Sequence, residues 1–237
     1  MKVLISPISL EEARIVVKGG CDIVDIKNVK EGSLGAQGPW VTKAICEEFK
    51  DEPVLCSAAL GDLPNIPGTI ALASYGAAHC GADYLKAGLY GATNYEEALA
   101  MMSASVKAIN MVSEDIIKVA CGYADFKKFG GVSAMDIVKV AKDSGSDVAM
   151  LDTKIKDGST LFDNLSVQEL KDFVNLSHEY GMKTARAGSV RPEHMGMVYD
   201  IGCDIIGVRG AVCDGNDRTC KITEKGVSDF VASVREN

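Results

Sequence analysis

No stretch of this sequence approaches the roughly 20 consecutive apolar residues that a membrane-spanning helix needs. No run of basic residues occurs either. The net charge of −8 and isoelectric point near 5.0 argue against a nucleic-acid partner or an acidic membrane surface, while leaving room for a local cationic pocket. An export signal is missing: MKVLISPISLEEA turns acidic after a few apolar residues and reads as a strand running into a helix. Histidine is scarce. The three present (His79, His178, His194) fall in helical stretches without ligand spacing, so no metal site is expected. The eight cysteines form no CxxC and lie mostly in apolar runs, which fits reduced, buried thiols in a cytoplasmic protein better than disulfides. No linker-like stretch divides the chain, so residues 1–237 are expected to form one domain. Apolar residues are plentiful, at 47%, which suffices for one large core.

That apolar content comes in short β-branched runs alternating with helical patterns. Strands are expected at 3–6, 23–27, 54–58, 83–87, 116–121, 147–152, 182–187 and 204–208. Helices are expected near 9–19, 38–49, 67–80, 94–111, 133–144, 166–180, 191–201 and 223–235. Ser9-x-x-Glu12, Asn94-x-x-Glu97 and Ser166-x-x-Glu169 read as capping boxes or close to them, and Pro192 suits a first helical position. Glycines at 19–20, 81, 145, 181 and 202 read as helix stops. Eight β-α pairs of about 30 residues each are the arithmetic of an α/β protein built as a single (β/α)8 TIM barrel. An open doubly wound sheet is the second choice. It usually has fewer strands and a glycine-rich first turn, and the first turn here, SPIS, has no glycine.

A weak internal repeat aligns the even-numbered strands. Gly-x-Asp opens GCDIVDIK, GADYLKAG, GSDVAMLD and GCDIIGVR, with the aspartates at 22, 83, 147 and 204. Side chains alternate faces along a strand. The second and fourth residues after each aspartate (Val24 and Ile26, Leu85 and Ala87, Ala149 and Leu151, Ile206 and Val208) are all apolar and should face the helices. The first, third and fifth should face inward and stack in layers. The lowest layer is Ile23, Tyr84, Val148 and Ile205. The next is Asp25, Lys86, Met150 and Gly207, and the top one is Lys27, Gly88, Asp152 and Arg209. Polarity rises toward the strands' C-terminal ends, where barrel active sites lie.

Lys27, Lys86, Asp25 and Asp152 should therefore converge, with Lys156 just beyond in DTKIKDG. A lysine is a nucleophile only when neutral, so it must be desolvated or crowded by another cation. Neighbouring lysines can do that to each other. A neutral lysine attacks a carbonyl to form a Schiff base, and the remaining groups shuttle protons for enolisation, dehydration and β-elimination. The bland alternative is a pair of internal ion pairs, Asp25–Lys27 and Lys86–Asp152. A phosphate site is expected from ARAGSV and GVRGAV after strands 7 and 8. There Gly188 and Ser189 offer N–H groups and a hydroxyl, Arg209 a bidentate donor, and Gly210 close backbone approach. Arg186 reads as either a pocket or an ion-pair residue. Loop 28–40 reads as a lid, a second anion contact or an ordinary surface loop. The segments 58–69, 122–126 and 161–164 are further candidates for the mouth.

Several motifs together resemble the (5-formylfuran-3-yl)methyl phosphate synthase family. They are SPIS, DIKN with KEGSLGA-x-x-PW, GDLP-x-x-PGT, ADYLKAGLYG, CGYAD, VAMLDT-x-IKDG-x-TLFD, AGS and GVRGA-x-C, and they span nearly the whole chain. The resemblance implies a TIM barrel that condenses two molecules of glyceraldehyde 3-phosphate. One phosphate and water are lost, giving 4-(hydroxymethyl)-2-furancarboxaldehyde phosphate, a precursor of methanofuran, with no metal or organic cofactor. By the same resemblance Lys27 is the Schiff-base lysine, Lys86 the proton acceptor, and Asp25, Asp152 and Lys156 support them; Lys154 falls at a variable position.

The rival readings are a class I aldolase or transaldolase-type phosphosugar enzyme, and a phosphometabolite-binding barrel without turnover. The orotidine-phosphate decarboxylase type needs D-x-K-x-x-D, and here the last place is Lys30. The expected partner is a small phosphorylated carbonyl substrate. Barrels of this size commonly associate, so a homo-oligomer is expected, with no interface readable in the sequence.

Overall fold

Alternation of faces along eight short strands builds this architecture. The structure is a computed structural model that describes residues 1–236. In chain order the elements are β1 (Lys2–Ile5), α1 (Leu10–Lys18), β2 (Ile23–Ile26), α2 (Pro39–Phe49), β3 (Leu55–Asp62), α3 (Pro67–Ala78), β4 (Tyr84–Gly88), α4 (Tyr95–Asn110) and β5 (Ile117–Tyr123). Then come α5 (Ala134–Ser144), β6 (Val148–Asp152), α6 (Leu161–Asn164), α7 (Val167–Glu179), β7 (Lys183–Arg186), α8 (Met195–Ile201), β8 (Ile205–Val208) and α9 (Glu224–Arg235). The strands pair in parallel in sequence order, and β8 pairs with β1, so the sheet closes into the expected barrel. Every expected strand and major helix is present. The additions are the short α6, held by a Thr160–Asp163 capping box, and 3-10 turns at Phe126–Lys128, Gly210–Val212 and Asp214–Asn216, while the start of the expected 191–201 helix is a 3-10 turn at Pro192–His194. Among the described residues no helix is long and apolar enough to cross a membrane.

The two faces of the even strands separate as the repeat requires. Val24, Ile26, Leu85, Ala87, Ala149, Leu151, Ile206 and Val208 belong to the apolar layer between barrel and helices. Ile23, Tyr84, Val148, Ile205 and Met150 belong to a second cluster inside the barrel, joined there by Leu4, Ala59, Val119, Cys121 and Ala185 from the odd strands. Helix ends follow local chemistry. Ser9, Asn94 and Ser166 accept hydrogen bonds from the N–H three residues on, and Ser166–Glu169 forms the full reciprocal box. Gly145 and Gly202 end α5 and α8 in the left-handed region, at φ 77° and 75°, where a side chain is disfavoured.

The structure also gives the repeated aspartate a physical job. Each stands one residue before an even strand and accepts a hydrogen bond from the backbone N–H of the preceding odd strand. The bonds are Val3 to Asp22 (2.7 Å), Cys56 to Asp83 (2.7 Å), Lys118 to Asp147 (2.8 Å) and Thr184 to Asp204 (2.7 Å). In each case the aspartate's own N–H donates back to the same residue's carbonyl, at 2.8 to 3.2 Å. The ladder is thus closed by side chains at the barrel's N-terminal end, four times over.

One strand departs from strict alternation. Leu55 and Ala59 of β3 pack into the barrel interior, which would send Gly61 inward and Asp62 outward. The β3–β4 register shifts between Ala59 and Asp62, and Gly61 takes φ 121°. This extra residue turns Asp62 inward at the mouth, as bulges commonly re-aim a side chain.

Asp204 allows a test of the strand clamp. Burial pushes its carboxyl up, but His178 and the Thr184 N–H and hydroxyl outweigh burial and hold it below the usual carboxylate range. Its stabilising contribution is therefore full above the unfolded carboxyl pKa and is lost as pH falls below it. Asp204→Ala is expected to lower the unfolding free energy by about 1–3 kcal/mol near neutral pH. In urea melts the gap to wild type should narrow in acid, with turnover retained. A pH-independent gap would contradict the role.

Candidate active site

The C-terminal mouth of the barrel holds a cavity of about 380 Å³. Asp25, Lys27, Asp152 and Lys156 line it, together with Gly188, Ser189, Arg209 and Gly210 from the turns after β7 and β8. Lys86 lies just beneath, fully buried, and its Nζ stands 2.5 Å from Asp25 Oδ1. That contact crosses the barrel from β4 to β2, within the one layer that the repeat alignment placed them in. Ser6, after β1, donates to the other Asp25 oxygen at 2.9 Å. On the far side Lys156 Nζ donates to Asp152 Oδ1 at 3.0 Å and to Thr153 Oγ1 at 2.9 Å, while the Thr153 N–H also holds Asp152 Oδ1. The ion pairs are therefore Asp25–Lys86 and Asp152–Lys156, and neither pairing of the bland reading forms.

Lys27 is the odd amine of the group. It is buried, and among the described residues no hydrogen bond or ion pair reaches its Nζ. Burial lowers its pKa, Lys86 and Lys156 add to the drop, and Asp152 and Asp25 only partly oppose it, leaving it at about 8. Burial would raise Asp152, but Lys156 and Lys27 hold it down at about 2. Asp25 is likewise held below the carboxylate range, against its burial, by Lys86 and Lys27. The arrangement is a desolvated lysine with an accessible lone pair near neutrality, flanked by two charged acid–base pairs.

The other half of the mouth is filled. Loop 28–38 lies across it, with Leu34 packed into the barrel interior. The loop is fastened on three sides: Ser33 N–H donates to Asp62 (2.8 Å), Ser33 Oγ to the Thr153 carbonyl (2.7 Å), and Arg218 Nη2 to the Gly32 carbonyl (2.9 Å). Lys30 and Glu31 are exposed, and no residue of the loop lines the cavity, so it offers no second anion contact there. Asp62 also takes the Tyr123 hydroxyl and an ion pair from Lys154 at 3.2 Å; Lys154 in turn sits 4.5 Å from the Tyr90 ring centroid. Asp125 accepts from the N–H groups of Lys154 and Ile155 at 2.8 and 2.7 Å, which shapes the loop that carries Lys156. The segment 161–164 forms α6 and stays out of the cavity lining.

Residues 3–231 match the model of the 4-HFC-P synthase family. The chain belongs to that family. It is 55% identical over 231 residues to the (5-formylfuran-3-yl)methyl phosphate synthase of Methanobrevibacter smithii, covering 97% of each chain. It is 54% identical over 237 residues to the same-named protein of Methanococcus maripaludis, covering all of both. A solved 3-hexulose-6-phosphate synthase from Salmonella typhimurium superposes with a TM-score of 0.66 over 99% of this chain and 100% of that one. At 16% identity that likeness speaks for the fold alone.

In this member of the 4-HFC-P synthase family two arginines depart from the sequence reading. Arg209 lines the cavity but has no donor to spare. Its five N–H groups go to the Arg218 carbonyl (2.6 Å), the Ser6 carbonyl (2.7 Å), the two Glu12 oxygens (2.8 and 3.3 Å) and the Cys220 carbonyl (3.1 Å). The bidentate partner is a carboxylate of this chain, so Arg209 is a positioning residue for Ser6, and through it for Asp25. Arg186 is neither a pocket nor an ion-pair residue. It points from β7 into the helix layer, its guanidinium 4.1 Å from the Phe173 ring centroid, with hydrogen bonds to carbonyls only. Its neighbours Ala185 and Ala187 take the inward positions.

At Gly210 and Gly88 the place of a side chain is filled by protein atoms, and Gly210 still lines the cavity. A Cβ on Gly210 would lie 3.2 Å from the Asn216 carbonyl. A Cβ on Gly88 would lie 2.5 Å from the Tyr123 hydroxyl and 2.7 Å from the Gly61 carbonyl. Sequence reasoning missed Ser6 and Arg218, and it reached Asp62 and Tyr123 only as members of the candidate mouth segments 58–69 and 122–126; the Gly-Asp pair at the end of β3 is the signal that could have singled out Asp62.

Gly88→Ala is accordingly expected to cost about 1–3 kcal/mol of stability through overpacking. It should also break the Tyr123–Asp62 hydrogen bond, read as a fall in the tyrosine's phenol pKa by ultraviolet titration. An unaltered melt and titration would show that the space is not filled as described.

Proposed function

We propose that this protein joins two molecules of glyceraldehyde 3-phosphate into (5-formylfuran-3-yl)methyl phosphate, also named 4-(hydroxymethyl)-2-furancarboxaldehyde phosphate, through a Schiff base on Lys27. The observation that carries the proposal is the state of Lys27: a buried amine beside a cavity, without a counter-ion, with its pKa at about 8. Family membership supports the product, since the full-length relatives bear that name.

On this reading neutral Lys27 attacks the aldehyde carbon and the carbinolamine loses water. The resulting iminium acidifies the adjacent C–H, and a group near Lys27 accepts that proton. The Asp25–Lys86 pair, directly below, suits that transfer; the Asp152–Lys156 pair suits proton delivery to departing oxygens. The enamine so formed expels the phosphate carried on the carbon β to the iminium, so loss of one phosphate follows from this intermediate. The enol left on Lys27 then bonds through its freed methylene carbon to C2 of the second triose phosphate in its keto form, the connection that the substitution pattern of the product requires. Cyclisation with loss of two waters yields the furan, and transfer back to water frees Lys27. The product belongs to the supply of methanofuran, and the reaction is a lyase-type elimination coupled to carbon–carbon bond formation.

Borohydride trapping with glyceraldehyde 3-phosphate, read by peptide mass spectrometry, is expected to place the adduct on Lys27 while phosphate is released in parallel. An adduct without phosphate release would favour an aldolase-type activity instead. Lys27→Ala is expected to lose the adduct and turnover together. Lys86→Met is expected to lose about 10²–10⁴ in kcat.

The ammonium form has no lone pair, so kcat/KM should rise with pH through an apparent pKa of about 8. A flat profile from pH 6.5 to 9 would count against a free lysine nucleophile.

A further inference from the structure

We propose that Arg218, together with the backbone N–H groups of Gly188 and Ser189, is the phosphate clamp of this cavity. The inference rests on the substrate being a phosphorylated carbonyl compound, as argued above, and assigns the cation that grips its phosphate. The need is clear from the lining. With the Arg209 guanidinium saturated and Lys156 paired to Asp152, the β7–β8 side of the cavity keeps few charged donors. Arg218 is one of them. It lines the cavity, and only one of its N–H groups is engaged, by the Gly32 carbonyl at 2.9 Å. Among the described residues it forms no ion pair. Its half-buried charge is desolvated, which lowers its pKa, and Asp152 and Asp62 lie near enough to act on it without bonding it. A half-buried guanidinium with unused donors beside a cavity is ready for a planar, two-point contact with an anion.

The turn after β7 lines the same cavity and offers the complementary backbone. Gly188 and Ser189 have φ 105° and 55°, the second unusual for a residue with a side chain. Neither N–H finds an acceptor among the described residues, and both residues line the cavity. Such backbone persists only where the surroundings enforce it. Here Thr153 crowds Gly188, whose Cβ would lie 3.0 Å from the Thr153 methyl, and the Gly188 carbonyl is held by the Leu161 N–H at 2.9 Å.

Arg218 is pre-set in the same way. Its carbonyl is gripped by Arg209 Nε at 2.6 Å, and the 216–218 turn packs over Gly210, where a Cβ would meet the Asn216 carbonyl at 3.2 Å. The Glu12–Arg209 pair thus holds Ser6 on one side and Arg218 on the other, fixing the acid–base end and the anion end from one point.

The competing role for Arg218 is a brace that merely holds loop 28–38 through Gly32. Two probes without a carbonyl, inorganic phosphate and sn-glycerol 3-phosphate, separate the roles because neither requires Schiff-base formation. Their affinities are measured by calorimetry on wild type, Arg218→Ala, Arg218→Gln and Arg218→Lys, with folding checked by thermal melts. Arg218→Gln keeps an N–H for Gly32 but carries no charge.

The expected result is a loss of about 10- to 100-fold in affinity for both probes in the Ala and Gln variants. KM for glyceraldehyde 3-phosphate should rise to match, with a smaller change in kcat and partial recovery in Arg218→Lys. Wild-type probe affinity in Arg218→Gln, or no probe binding by the wild type, overturns the clamp. Loss of kcat at unchanged probe affinity makes Arg218 a brace. Probe binding that depends on Arg218, in a protein that forms no adduct on Lys27, keeps the clamp and rejects the Schiff-base reading instead.

Discussion

Lys27, Lys86 and Lys156 share Asp25 and Asp152 in the mouth of this barrel. Asp25 is taken by Lys86 and Asp152 by Lys156, both at ion-pair distance, which leaves Lys27 as the unmatched member. Burial penalises an unpaired cation, so the site settles its charge most easily when Lys27 sheds a proton or when an anion enters. Only the first frees the lone pair that the proposed Schiff base needs; the second keeps the ammonium and holds the anion. Had one more carboxylate faced Lys27, the layer would be electrically satisfied and the amine protonated across the physiological range. The arrangement costs stability, as is common for sites that keep a reactive group in an unfavourable state.

The two ends of the barrel divide the work. At the N-terminal end the repeated aspartates bond backbone N–H groups and carry no group toward the cavity. At the C-terminal end almost every polar side chain bonds another side chain or a loop. Glu12 shows how the levels connect. It begins as the third residue of α1 in a Ser9 capping pattern, where its side chain takes the Ile8 N–H, and it also receives Arg209 and the Ile222 N–H. A helix-start residue thereby ties α1 to the loop after β8.

The parts legible from sequence were those written in a period. The Gly-x-Asp repeat aligned the even strands, and alternation then placed Asp25 and Lys86 in one layer, where the folded chain pairs them, and the apolar residues against the helices. The odd strands carry no such marker, so the expected β3 stopped at residue 58, and Asp62, turned inward by the bulge at Gly61, was reached only as part of the candidate mouth segment 58–69. Arg209 misled because its register is right but its surroundings were invisible: Glu12 is 197 residues away in the chain. Arg218 sits in a loop without periodicity, where only the folded chain shows which way a side chain points.

The repeated aspartate clamp has a further consequence for how this barrel comes apart. Each clamp joins an odd strand to the even strand that follows it, β1 to β2, β3 to β4, β5 to β6 and β7 to β8, and none crosses from one such pair to the next. The molecule therefore has seams. A chain severed in the helical stretch between β4 and β5 yields two fragments with two intact clamps each, and the groups at the mouth are parted along the same line: Asp25, Lys27 and Lys86 in one half, Asp152, Lys156 and Arg218 in the other. Reassembly of such halves would restore fold and cavity in one step, because residues of both halves line it.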